Sequence, residues 1–381
     1  MSARAVLVVG AVAGLAGLAT VGLAAYGSVA EPTAASSYAG WTGRSDPAAA
    51  ADRDAMTPDD AVAVALLERA ADAAGTIGWA GRAVTVDRMG RSVTDLTHVP
   101  GSGTTVRAVG GDSEATLAPD GRSGSIADAG RQLAVLRTNY RVVRAADLDC
   151  LVAGRATEAV VAYDADGALA ARFWLDAGTG LLLAKELVAP DGTVWSRADF
   201  ERVRITPGSQ AALTTAAASD EWSEPFDPEQ LAGARQGGCP CPEELPGGLV
   251  LLDTRRAPAG VMAEAPVVHQ LFTDGLSAVS LFAFPGSLSG SDAEGLSARG
   301  FAPTDLGGQT AWVREGTTDS AAVTVVWAVP GSVLTLVTDD AEDPLRTAAD
   351  IVAALPPAEA DGEGLLDRVQ RGWERLTGAA A

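Results

Sequence analysis

Residues 172 to 200 read RFWLDAGTGLLLAKELVAPDGTVWSRADF. Three short runs rich in aromatic, aliphatic and β-branched residues, RFWL, LLLAKELV and TVWSRADF, are divided by DAGTG and APDG, whose Gly, Pro and Asp supply the backbone angles of tight turns. The pattern predicts three antiparallel strands in a meander. In the last run Val194, Ser196, Ala198 and Phe200 share one face, and Thr193, Trp195, Arg197 and Asp199 share the other. The sheet is therefore expected to have a packed side and a wetter side, and function follows from what the packed side covers.

Around this stretch lies a chain of 381 residues, 47% of them hydrophobic, long enough for two domains with sizeable cores. Its net charge of -21 argues against nucleic acid, which is bound by basic side chains that displace counterions. The same repulsion disfavours acidic substrates and anionic lipid surfaces. Lys185 is the single lysine, and arginine carries nearly all the positive charge; composition alone gives it no function.

Near the amino terminus, residues 5 to 26, AVLVVGAVAGLAGLATVGLAAY, carry no charge and form, as a helix, a rod of about 33 Å, enough to cross a bilayer. The run is either an uncleaved anchor or a long signal peptide, with Ser28 and Ala30 as small residues of a cleavage site. Both place the bulk of the chain outside the cytoplasm, membrane-anchored or secreted. The domain boundaries expected are 1–30 for the anchor or signal peptide, 31–57 for an Ala-, Ser- and Pro-rich tether, 58–205 for a first domain, 206–238 for a linker, 239–356 for a smaller second domain, and 357–381 for an amphipathic terminal helix. Thr57 and Pro58 open a helix on which Ala61, Val64, Ala65, Leu67 and Ala71 fall at helical spacing. Short alternating runs follow from Gly78, then a helix over ADAGRQLAVLRT, then the meander. In the second domain Asp274 and Gly275 form the hairpin turn between two strongly apolar strands, and DPLRTAADIVAAL reads as a helix.

Catalytic chemistry finds little support. The two histidines, His98 and His269, each sit in an alternating strand with no partner cluster, and are read as surface or boundary residues that support neither a zinc site nor a triad. GLSARG at 295 to 300 has Arg299 where a nucleophile elbow needs its second Gly. No enzyme activity, cofactor or metal is expected. Cys150, Cys239 and Cys241 are the cysteines; the close spacing of CPC, with proline between, argues against a bridge within it, so one from Cys150 to Cys239 or Cys241 is the leading pairing, with free thiols or an intermolecular bridge as alternatives.

Asn139 to Val142, Val152 to Arg155 and Leu175 to Leu183 read NYRV, VAGR and LDAGTGLLL. These segments resemble the Asn-Tyr-Arg-Val strand, the Val-Ala-Gly-Arg turn and the Leu-Asp-x-x-Thr-Gly-Leu-Leu-Leu hairpin of the RseB/MucB family of envelope-stress regulators. PEELPGGLVLLDTRR and HQLFTDGLSAVSLF are similar to two second-domain motifs, with Leu249 where Phe is usual and Thr273 where Ser is common. The resemblance spans residues 61 to 355 and rests on motif order and spacing. It implies an α+β fold: a LolA-like half-open antiparallel barrel wrapped around a helix, plus a smaller α+β domain.

By the same resemblance, Phe173, Leu175, Leu181, Leu183, Val194 and Phe200 are candidates for the wall of an apolar cavity, with plain core packing as the competing role. Leu271, Phe272, Leu276, Val279 and Leu281 are candidates for partner binding. The implied function is to bind the outer segment of a membrane-spanning anti-sigma factor, shielding it from proteolysis until a lipid or lipoprotein signal releases it. The alternative is a lipid or lipoprotein carrier of the cell envelope. This chain departs from the family in its N-terminal apolar run, its long linker and its terminal helix.

Overall fold

The structure, a computed structural model, describes residues 11–12, 20–21, 58–87, 90–100, 103–109, 114–117, 129–206, 224–226, 228–236, 239–257, 267–315, 323–338 and 343–355. The tether at 31–57 and the amphipathic tail at 357–381 lie outside these residues. So does nearly all of the apolar run, of which only the pairing of β1 (Ala11–Val12) with β2 (Thr20–Val21) is described. Among the described residues no helix is long and apolar enough to cross a membrane.

The first unit begins with α1 (Pro58–Thr76), which starts on proline and carries Asp59 and Asp60 in its first turn, where the helix dipole favours negative charge. Its buried stripe is Ala63, Leu66, Leu67, Ala70 and Ala74, whereas Ala61 and Ala65 face solvent. Alanines surround this helix, so its periodicity marks no face; the two leucines set it. Strands β3 (Gly78–Asp87), β4 (Gly90–Val99), β5 (Gly103–Ala108) and β6 (Glu114–Leu117) follow, then α2 (Ala129–Asn139) and β7 (Arg141–Arg144), β8 (Leu151–Val152), β9 (Arg155–Tyr163), β10 (Leu169–Asp176), β11 (Leu182–Val188) and β12 (Val194–Thr206). They make one antiparallel sheet in the order β6-β5-β4-β3-β12-β11-β10-β9-β7, with β8 paired to β9 off this path. The expected meander is β10-β11-β12. Register shifts at Trp174/Leu175, Leu187/Val188 and Phe200/Arg202 bend these strands, as bulges do. The described strands form an open sheet with β6 and β7 at its ends, not a closed barrel. Helix α1 packs on β7 and β9, and α2 packs on α1.

The second unit comprises β13 (Glu224–Pro225), α3 (Pro228–Gln236), β14 (Glu244–Leu245), β15 (Leu249–Ala257), β16 (Val267–Thr273), β17 (Ala278–Pro285), α4 (Gly290–Ala298), β18 (Ala302–Leu306), β19 (Gln309–Arg314), β20 (Val323–Val329), β21 (Ser332–Thr338) and α5 (Pro344–Ala354). Its antiparallel sheet runs β13-β15-β16-β17-β21-β20-β19-β18, with β14 paired to β15. Asp343 caps α5 by accepting a hydrogen bond from the Arg346 amide at 3.1 Å, and Pro344, Ala348, Ile351 and Val352 bury one stripe. The segment read as a linker, 206–238, contains β13 and α3. Its Ala- and Ser-rich composition hides a nine-residue helix whose Leu231 and Ala234 pack on the second core.

Candidate functional site

The two sheets meet at the tip of the β16–β17 hairpin. Within the tip the Asp274 carboxylate accepts from the amides of Leu276 and Ser277 at 2.8 and 2.7 Å and from the Ser277 hydroxyl at 3.1 Å. The Thr273 hydroxyl donates to the Ser277 carbonyl at 2.7 Å and accepts from the Gly275 amide at 2.9 Å. With these polar groups paired internally, the tip can be buried without stranding donors or acceptors.

It is buried in the other unit. Leu276, 6% exposed, belongs to the core cluster of the first sheet. Gly275 has φ +99° and lies so close to α2 that a Cβ there would stand 2.4 Å from the Leu136 Cα. Asn139, at the end of α2, donates from Nδ2 to the carbonyls of Asp274 (2.9 Å) and Gly248 (3.0 Å). The Tyr140 hydroxyl donates to Asp274 Oδ2 at 2.7 Å, and burial, reinforced by the aspartate charge, drives its pKa far above the usual phenol value. From β11, Lys185 Nζ donates to the Leu276 carbonyl at 2.7 Å, and Arg131 Nη1 on α2 donates to the Leu252 carbonyl at 2.9 Å. A rigid, self-satisfied tip thus plugs into a socket of one helix and one strand.

Of the sequence candidates, Leu276 sits in the joint itself and the others fall elsewhere in the two units. Phe173, Leu175, Leu181 and Leu183 are fully buried and Phe200 nearly so, in one cluster with α1, α2 and Leu276. Val194, by contrast, is 41% exposed: it begins β12 at the turn, beyond the rim of the cluster. None of the partner-binding candidates is exposed. Phe272, Val279 and Leu281 fill the second core, Leu271 packs with Leu252 and Ala278, and Leu276 fills the first. For the four on strands the reason is topological, since β16 and β17 are interior strands flanked by β15 and β21; Leu276, in the turn, is buried by insertion into the first unit.

The cysteine pairing also differs from expectation. Cys239 bonds to Cys241 with a Cα–Cα separation of 5.2 Å, and Cys150 is an exposed free thiol. The bridge closes because Cys241 adopts φ +29°, a left-handed backbone that folds the three residues back on themselves. His98, read as a surface or boundary residue, is 4% exposed; it stacks on Trp79 and pairs through Nδ1 with the Thr104 hydroxyl at 2.9 Å. Burial lowers its pKa from 6.5 to about 4. His269 stacks on Phe282 with centroids 4.3 Å apart, and burial followed by the Arg255 charge lowers its pKa to about 3. Asp176, despite burial, is held below the usual carboxylate range by Arg155 and Thr179.

Asn139 and Tyr140 stand out in the sequence only as part of a family motif and Lys185 only as the single lysine; no local pattern marks them, or Gly248, as a socket. One signal was present: a lone lysine in the apolar run LLLAKELV needs a partner when buried.

No protein-family model matches the chain, and no curated protein matches it in sequence. Among solved structures, a crystal structure of MucB matches with 22% identity and TM-score 0.48, covering 78% of this chain and 98% of that one. The chain is similar to MucB. The complex of Pseudomonas aeruginosa MucA and MucB matches with 21% identity and TM-score 0.46, over 78% of this chain and 100% of that one. A putative outer membrane lipoprotein-sorting protein domain from Vibrio parahaemolyticus matches 40% of this chain and 95% of its own, with 10% identity and TM-score 0.19.

Proposed function

We propose that this chain is an extracytoplasmic, non-enzymatic regulator that binds the outer segment of a membrane-spanning anti-sigma factor and shields it from proteolysis. The order and spacing of the RseB/MucB-like motifs from residue 61 to 355 support the partner class. The apolar run at 5–26 and the Cys239–Cys241 disulfide support the compartment, since disulfides persist outside the cytoplasm.

The observation that carries the regulatory half of the reading is the plugged joint. Each sheet has its own core, and the hairpin tip joins them through Leu276 and a handful of hydrogen bonds. Such a joint is the least costly place to separate the units, and a partner that binds one arrangement better than the other shifts the balance between them. An apolar or lipidated signal would act by competing with Leu276 for the first core.

The test uses the full chain and the purified outer segment of a single-pass anti-sigma factor encoded in the same genome. Saturable binding, and protection of that segment from its site-one protease, are the expected results. Bound lipid with no affinity for the segment would instead make the protein a carrier.

A further inference from the structure

The Cys239–Cys241 bridge encloses a single residue, Pro240. A disulfide stabilises a fold chiefly by shortening the unfolded chain, and that gain grows with loop length, so this bridge is a poor staple. It also comes with a backbone cost. Cys241 and Ala153 are the two described non-glycine residues with positive φ, a region that penalises a Cβ. A bridge that stabilises little and holds its own backbone out of its preferred region is suited to being opened and closed.

The surroundings say how, and with what effect. Cys241 is 1% exposed in the second core, whereas Cys239 is only partly buried. An incoming thiolate therefore reaches Cys239 first. The Cys239 amide donates to the Ala234 carbonyl at 3.0 Å, and Arg235 Nε donates to the Cys241 carbonyl at 3.0 Å while its Nη2 pairs with Glu243. These bonds fasten the C-terminal turn of α3 to the Cys-Pro-Cys turn.

We propose that Cys239–Cys241 is an exchangeable redox site whose reactant is an extracytoplasmic dithiol, and that its state decides whether α3 stays fastened. A thiolate of the dithiol attacks Cys239 Sγ and forms a mixed disulfide; the electron pair of the broken S–S bond leaves on Cys241 Sγ, which takes up a proton. The second thiol of the reactant then attacks its own sulfur in the mixed disulfide, releasing Cys239 as a thiol and leaving the reactant as a disulfide. Opening frees Cys241 to leave its left-handed backbone, which moves the carbonyl that Arg235 holds. A disulfide of the same class drives the reverse reaction.

The test is made on the full chain carrying Cys150→Ser, so that only the pair contributes thiols. The folded protein is equilibrated with dithiothreitol and, separately, with reduced thioredoxin as a protein dithiol. Thiols are counted by mass after alkylation, and trypsin cleavage after Arg235 reports on α3. Two thiols should appear together without denaturant, with cleavage after Arg235 roughly tenfold faster and reverting on reoxidation, as for a locally opened segment. The double variant Cys239→Ser/Cys241→Ser should cleave at the fast rate whatever the redox state. A pair that stays closed until the protein is denatured overturns the proposal, and so does one that opens while cleavage after Arg235 stays unchanged.

Discussion

Gly275 shows how a single residue fixes the joint. Its φ of +99° and the 2.4 Å approach of its would-be Cβ to Leu136 leave no room for a side chain. Gly275→Ala should cost about 2 kcal/mol or more, from backbone strain and displacement of α2, measured by urea unfolding. Gly286 is the control: its φ is +131° but nothing lies within 4 Å, so Gly286→Ala should cost only the backbone part. His98 makes a prediction about pH. Its folded pKa of about 4 lies below the ordinary 6.5, so the unfolded chain binds the proton more tightly. Stability is therefore fully present above pH 6.5 and falls as pH drops towards 4, by up to about 3 kcal/mol from this group. Unfolding at pH 7 and pH 4.5 should show His98→Phe losing much of this slope, while His269 retains a share in the same direction. At this scale sequence alternation placed Ser196, Ala198 and Phe200 on the buried face. It misplaced Val194, because period two gives a side but not how far the core extends along the strand.

At the scale of elements, local patterns were readable and distant pairings were not. The meander, the helix opening at Pro58 and a hairpin turn starting at Asp274 each follow from residues a few positions apart, although the turn runs on to Ser277 and is four residues long. The socket joins Asn139 to Gly248 and Asp274 across more than a hundred residues, and no periodicity records such a contact. Helix α3 escaped notice because its Ala, Gly and Gln composition resembles the linker around it. The hairpin tip yields the prediction for this scale. Replacing the four-residue tip Asp274–Ser277 with Asn-Gly leaves a two-residue turn that still closes the hairpin but removes the plug. Loss of Leu276 burial should cost about 2 kcal/mol, read by hydrogen exchange as faster exchange in α2 while β20 and β21 keep their protection. Equal loss in both regions would mean that the tip supports the second sheet and not the joint.

For the whole molecule, chain length indicated two domains and net charge argued against nucleic acid, while the strands and helices within each domain were read from local periodicity. None of these could show how the units are held together. A covalent staple from Cys150 was the leading expectation, and the structure replaces it with a buried hairpin tip. Non-reducing peptide mapping of the native protein should therefore recover Cys239 linked to Cys241 and one alkylatable thiol at Cys150. Dithiols should leave the contact between the units in place, because no disulfide crosses it. The regulatory account rests on that contact. Its most direct test is calorimetric titration of the anti-sigma outer segment into the full chain and into Leu276→Asp, which places a charge in the apolar socket. The account predicts binding by the native chain and an affinity shifted at least about tenfold, or about 1.4 kcal/mol, by the substitution. Equal affinities for both proteins, or no binding by the native chain, would contradict it.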